Sequence, residues 1–148
     1  MQHIPNGDLL ASDAAILVNP VNCVGVMGAG LAAQFKARWP MMFMDYLAFC
    51  RQGRLAPGVL HVWTGEGRTI INLPTKRNWS DKSRLEDIEA GLDALVRWMQ
   101  TRPPTSIAVP ALGAGLGGLP APDVLGAIER ALRPLSRLGW SVYIYGSR

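Results

Sequence analysis

The sequence is poor in the residues that build metal sites and disulfide scaffolds. Its 148 residues include two cysteines, Cys23 and Cys50, and two histidines, His3 and His61, at spacings that make no metal-ligand pattern. So few cysteines exclude a disulfide-dense scaffold and fit reduced thiols in a cytoplasm, the expected compartment. Long apolar runs are missing as well, since no stretch approaches the roughly 18 residues that cross a bilayer. The opening "MQHIPNGDLL" lacks both a basic start and the apolar core of a signal peptide, so no membrane association is expected. Acidic residues are outnumbered, 11 Asp and Glu against 15 Lys and Arg. The resulting charge of +4 and pI near 9.5 favour anionic partners such as nucleic acid or a nucleotide, without requiring one. Only 18% of residues are charged against 49% hydrophobic, which excludes a disordered chain. A chain of this length suits one domain, residues 1–148, with a full core.

What is present is an alternation of strands and helices. Ala14 to Asn19 ("AAILVN") is an apolar run without helical spacing, as in a buried strand. A glycine-rich loop, "CVGVMGAG", follows it. Leu31 to Arg38 contains good helix formers and ends at Trp39-Pro40, and a second short helix is expected from Met41 to about Arg51. "HVWT" and "TIINL", separated by "GEGR", read as a strand pair joined by a glycine turn. Ser83-Arg84-Leu85-Glu86 fits a capping box, and beyond it Leu85, Ile88, Leu92, Leu95 and Met99 form an apolar helical stripe. "SIAVPAL" is a strand, "GAGLGGLP" a second glycine loop, Pro122 to about Leu135 a helix, and "SVYIY" a closing strand. The order implies an α/β fold with helices on both faces of a largely parallel sheet.

Gly113, Gly115 and Gly118 spell G-x-G-x-x-G between a strand and a helix, the dinucleotide-binding string. The loop is near the C-terminal end, however, and no acidic residue follows Glu129 to hold a ribose, which excludes an ordinary nicotinamide dehydrogenase. A Walker loop fails too, because no glycine precedes Lys-Ser or Lys-Thr. Either loop alone reads best as tight turns. Two such loops past the carboxyl ends of strands would together cradle an extended diphosphate.

At this point the sequence resembles the macrodomain family, whose members bind ADP-ribose above a mixed sheet flanked by helices. The resemblance rests on "GDLL", "VNPVNCVGVMGAGLAAQFKARWP", Pro57-Gly58, "INLPTKRNWSDKSRLEDIEAGL" and "AVPALGAGLGGL", in that order and over nearly the whole chain. Within the family it is most similar to the DarG-type antitoxin branch and the related terminal ADP-ribose glycohydrolases. The fold so implied is a three-layer α/β/α sandwich with a mixed, largely parallel central sheet.

The resemblance implies a site residue by residue. Asp8, next to Leu9, resembles the aspartate that accepts a hydrogen bond from the adenine amino group; capping a turn after Gly7 explains it equally well. Asn22 resembles the asparagine beside the distal ribose. Backbone amides of Gly28, Ala29, Gly30 and Leu31 would hold the diphosphate from one side. Leu112, Gly113, Ala114, Gly115, Leu116, Gly117 and Gly118 would frame it and the distal ribose from the other. Lys76, preceded by Thr75, stands where this branch carries its catalytic lysine. A lysine amine attacks only when neutral, and apolar neighbours or nearby cations favour that state; Arg77, Lys82 and Arg84, with Leu73 and Pro74, are candidates for those roles. Lys76 would either attack the anomeric carbon of the distal ribose or orient and protonate reacting groups.

The implied activity is removal of ADP-ribose from thymidine bases of single-stranded DNA, reversing a partner DNA ADP-ribosyltransferase toxin. The alternatives are a non-catalytic ADP-ribose reader and a glycohydrolase of ADP-ribosylated protein. The protein-directed enzyme pairs its lysine with an aspartate where Gly117 stands here, which counts against that alternative. Trp79 would stack on a base, or else pack at the rim, and Arg77 would contact nucleic acid. No cofactor and no metal are called for. ADP-ribose, ADP-ribosylated single-stranded DNA and the toxin are the implied partners, and a monomer is expected.

Overall fold

The structure, a computed structural model, describes residues 1–147. Buried side chains on two opposite faces govern the sheet. Strand β2 (Ile16–Val21) sends Ile16 and Val18 into one apolar layer and Leu17 and Val21 into the other. In β4 (Arg68–Pro74), Ile71 and Leu73 part from Ile70 in the same way. Strands β5 (Ser106–Pro110) and β6 (Ser141–Tyr145) repeat the pattern, with Ile107, Val109, Val142 and Ile144 opposite Ala108, Tyr143 and Tyr145. Burial on both faces is why these strands read as continuous apolar runs. With β1 (Gln2–Ile4) and β3 (His61–Gly65) they form a six-stranded sheet in the order β1-β6-β5-β2-β4-β3. All neighbours are parallel except β3, which runs antiparallel to β4.

Helices α1 (Gly30–Arg38) and α2 (Pro40–Arg51) cover one face, burying Phe35, Met42 and Tyr46. The other is covered by α3 (Leu85–Gln100), through Ile88, Leu92, Leu95 and Met99, and by α4 (Ala121–Arg137), through Val124, Ile128, Leu132 and Leu135. The arrangement is the expected three-layer α/β/α sandwich. Among the described residues no helix is long and apolar enough to cross a membrane.

Two local features differ from the sequence expectations. Strand β1 has no alternating pattern of its own and exists because its backbone pairs with β6. The capping box does not form: α3 starts one residue later, with Arg84 at the N-cap and no side-chain cap. The Ser83 amide instead donates to the Gly117 carbonyl at 2.9 Å, and its buried hydroxyl has no hydrogen-bond partner. A tether to the second glycine loop thus overrides the local capping preference.

A polar row interrupts the apolar face under α1 and α2. His61, Asn72 and Asn19 are register neighbours on β3, β4 and β2, and all three are buried. Asn19 Nδ2 donates to Asn72 Oδ1 at 2.9 Å, and Asn72 Nδ2 lies 3.0 Å from His61 Nδ1. An amide donating to Nδ1 leaves Nε2 as the protonated nitrogen, and it faces Asp45 Oδ2 of α2 at 2.7 Å.

The strand order positions the site. β2 sits between β5 and β4, but the chain leaving β2 passes through α1 and α2 to the β4 side and reaches β5 only after α3. The loops after β2 and β5 therefore diverge and leave a crevice over the carboxyl ends of the strands.

Candidate active site

That crevice is a cavity of about 720 Å³, within the ~300–1,000 Å³ usual for small-molecule sites. Its first wall is the loop after β2 and the start of α1. Asn22 organises this loop: its Oδ1 accepts from the amides of Val24 at 3.1 Å and Val26 at 3.3 Å, and its Nδ2 donates to the Val26 carbonyl at 2.7 Å. The loop then delivers Gly28, Ala29, Gly30 and Leu31 to the cavity. Ala29 is the N-cap of α1, with extended backbone and no side-chain cap, and the first turn holds no acidic residue. No side chain caps the first amides of that turn, which lie at the positive end of the helix dipole.

The second wall is the loop after β5, where residues 115–117 form a 3-10 turn. Gly113, Ala114, Gly115, Leu116 and Gly117 line the cavity. Leu116 reaches toward the first wall, its Cδ1 lying 3.3 Å from where a Cβ on Gly30 would be. A side chain at Gly117 has no room, because its Cβ would overlap the Ser83 hydroxyl.

The third wall is the segment after β4. The parallel pairing of β2 with β4 continues past the sheet: Thr75 donates its amide to the Val21 carbonyl at 2.8 Å, and Cys23 donates to the Arg77 carbonyl at 3.0 Å. The Cys23 thiol adds a contact to the Lys76 carbonyl at 3.5 Å. Burial first, then the nearby Cys50 and Asp87, push that thiol up to about 11, so it stays protonated and donates. These contacts fix the backbone of Lys76, which is half-buried with Nζ 3.5 Å from the Trp79 carbonyl. Trp79 is 62% exposed and stands at the cavity mouth.

Among the described lining residues only Asn22, Thr75, Lys76 and Trp79 carry a side-chain nitrogen or oxygen, and only Lys76 titrates. Five residues expected at the site fall outside the lining. Asp8 caps the 3-10 turn Leu9–Ala11 through a 3.1 Å bond from the Leu10 amide, and Leu9 is buried in the core. Leu112 is buried beneath the second loop, and Gly118, beyond its end, lies under the Lys82 stem. Arg77 turns away to Asp87, Nη2 to Oδ1 3.4 Å, a carboxylate that is itself buried. Asp81, which is not one of those five, is held by the Asn78 amide at 3.1 Å, so its carboxylate serves its own turn. Sequence reasoning missed Pro20, Val21, Val26, Ala32, Pro110 and Ala111, which also line the cavity. The signal was there for the last two, the end of β5 and the residue after it. For Cys23, which holds the Lys76 backbone by contacts across the fold, there was none.

The chain was compared with known proteins. The Macro domain family model matches residues 18–128. The DNA ADP-ribosyl glycohydrolase of Mycobacterium tuberculosis is 44% identical over 142 residues, spanning 93% of this chain and 40% of that protein. The chain thus spans about two fifths of the length of the DNA ADP-ribosyl glycohydrolases of Mycobacterium tuberculosis and Thermus aquaticus. The solved macrodomain of Mycobacterium tuberculosis DarG superposes with a TM-score of 0.93 at 40% identity, over 100% of this chain and 99% of that one. Thermosipho africanus DarTG, solved in complex with ADP-ribose, superposes with a TM-score of 0.83 at 32% identity, over 94% of this chain and 39% of that one.

Proposed function

Since the chain belongs to the macrodomain family, we propose that it is a DNA ADP-ribosyl glycohydrolase, releasing ADP-ribose from thymidine bases of single-stranded DNA and so reversing a partner transferase. The observation that carries the reading is Lys76: among the described residues it is the sole titratable side chain lining a cavity whose other walls would offer backbone amides to a diphosphate. The relatives' names supply the substrate class, and the Thermosipho complex supplies the ligand. The modified base would leave through the mouth at Trp79, whose exposed indole is available to stack on it.

Two routes fit the lining. In the first, neutral Lys76 Nζ attacks the anomeric carbon of the distal ribose while the bond to the base breaks; the alkylated amine passes a proton to the departing base, and water then displaces the lysine, leaving its hydroxyl on the ribose and its other hydrogen on Nζ. In the second, the ammonium protonates the departing base while water attacks. With no carboxylate in the lining among the described residues, the paired-carboxylate scheme of ordinary glycosidases has no counterpart there.

Lys76→Ala is expected to lower release from ADP-ribosylated single-stranded DNA by at least about 10³-fold while ADP-ribose still binds, because the amide-lined walls remain. A radiolabelled release assay with calorimetry measures both. Full activity of the variant would refute the lysine's role, and a wild type that binds ADP-ribose without releasing it would be a reader instead. Intact mass spectrometry of acid-quenched reactions separates the routes, since only the first adds an ADP-ribosyl mass to the protein.

A further inference from the structure

We infer that Tyr46 is a positioning residue that turns the Asn22 amide into a pure hydrogen-bond donor toward the ribose next to Lys76; the inference rests on the proposed function. Tyr46 lies on the inner face of α2, fully buried, and its hydroxyl is 2.7 Å from the Asn22 carbonyl oxygen and 2.9 Å from Asn22 Oδ1. Burial first, and then Cys50 beside it, push the phenol well above its ordinary range, so it keeps its hydrogen.

Three donors converge on one side-chain atom of Asn22: the Tyr46 hydroxyl and the amides of Val24 and Val26. Only an oxygen accepts all three, so the amide has a single satisfactory orientation. Its nitrogen gives one hydrogen to the Val26 carbonyl and keeps one uncommitted. Asn22 lines the cavity, and the next residue, Cys23, is bonded to the backbone of Lys76 and Arg77. Asn22 and Lys76 therefore line the same cavity from adjoining stretches of backbone. A donor there selects an oxygen acceptor, a hydroxyl or ring oxygen of the distal ribose, and offers nothing to a ligand that ends at the diphosphate. The single phenol hydrogen is shared between the Asn22 carbonyl and Oδ1; without it both oxygens lose that donor in a buried setting, and the amide is held by the Val24 and Val26 contacts alone.

Tyr46→Phe keeps the buried ring and removes only the hydroxyl. We expect ADP-ribose to bind about five- to tenfold more weakly to it, with ADP binding unchanged, by calorimetry. A general loss of structure would weaken both ligands, and equal losses, or no loss for either, would overturn the inference. Wild-type protein gives an independent readout through the side-chain amide signals of Asn22 in a ¹⁵N spectrum, which does not depend on the variant folding. ADP-ribose should move one of the two amide protons, and ADP neither. Identical responses to the two ligands would refute the role of Asn22. A wild type that binds no ADP-ribose would remove the proposed function and the inference together, whereas normal binding with an unaffected Tyr46→Phe removes the inference alone.

Discussion

Ser83 and Gly117 occupy one another's space. The serine amide is bonded to the Gly117 carbonyl at 2.9 Å, and its hydroxyl sits where a Cβ at 117 would go. An aspartate at this point of the loop is therefore barred by packing, which is the physical form of the missing carboxylate. The hydroxyl is buried and unpaired, a condition that costs about 1–3 kcal/mol. Ser83→Ala is accordingly expected to leave stability unchanged or raise it by about 1 kcal/mol in urea titrations. Gly117→Ala should cost about 1–3 kcal/mol through overpacking. Most of that loss should return in the double variant Ser83→Gly with Gly117→Ala, and a double variant no better than Gly117→Ala alone would show that the clash lies elsewhere.

Among the elements, α1 begins without the side-chain cap that its backbone would accept. Its N-cap is Ala29, with φ −151° and ψ 164°, the extended backbone in which a side-chain cap works best, yet alanine provides none. Ala29→Asp would cap the turn and place a negative charge on the dipole, stabilising the protein by about 0.5–1 kcal/mol. The same carboxylate would occupy the amides proposed for the diphosphate and repel it. Thermal midpoint should rise while ADP-ribose affinity falls about tenfold or more, a split that calorimetry and melting curves resolve. If both rise, the start of α1 is not the phosphate site.

Elements with a strong internal pattern were legible in the sequence. The stripe from Leu85 to Met99 predicted α3, and the apolar runs around Ile16 and Ile107 predicted β2 and β5 with small errors at the ends. The two glycine loops were legible as cavity walls because each follows a strand end. Features set by contacts far apart in sequence were not. Strand β1 needs β6, which lies across almost the whole chain. Ser83 reads as a cap until Gly117 is beside it, and Arg77 reads as a free cation until Asp87 is. Asp8 keeps its carboxylate on the turn it caps, the local alternative that its sequence context equally allowed.

At the level of the whole molecule, the joint between α2 and the β2–α1 loop carries a pH dependence. Burial raises Cys23 from its ordinary 9.0 to about 11 and raises Cys50 and Tyr46 as well. These acids are neutral in the folded chain, so above pH 9 the unfolded chain gives up protons that the folded one retains. Stability is then full below about pH 9 and declines as pH rises toward 11. Discounted for partial solvent exposure, the Cys23 contribution is about 1 kcal/mol. Melting curves between about pH 8 and pH 10.5 should fall more steeply for the wild type than for Cys23→Ala. Parallel curves would show that the thiol is not responsible.

The row of His61, Asn72 and Asn19 also acts as a key for strand alignment. If β4 slipped by one residue against β2, the side chains of the shifted strand would exchange faces. Asn72 would then meet the Ile and Leu layer under α3 and α4, where neither Asn19 nor His61 can reach it, at a cost of about 1–3 kcal/mol for each group left unpaired. Apolar strands rich in Ile, Val and Leu tolerate such slips; this trio does not. From the paired Asn19 and Asn72 it is three residues to Asn22 (22 − 19) and four to Lys76 (76 − 72). A lock in the middle of the sheet therefore determines which two side chains arrive together at its rim.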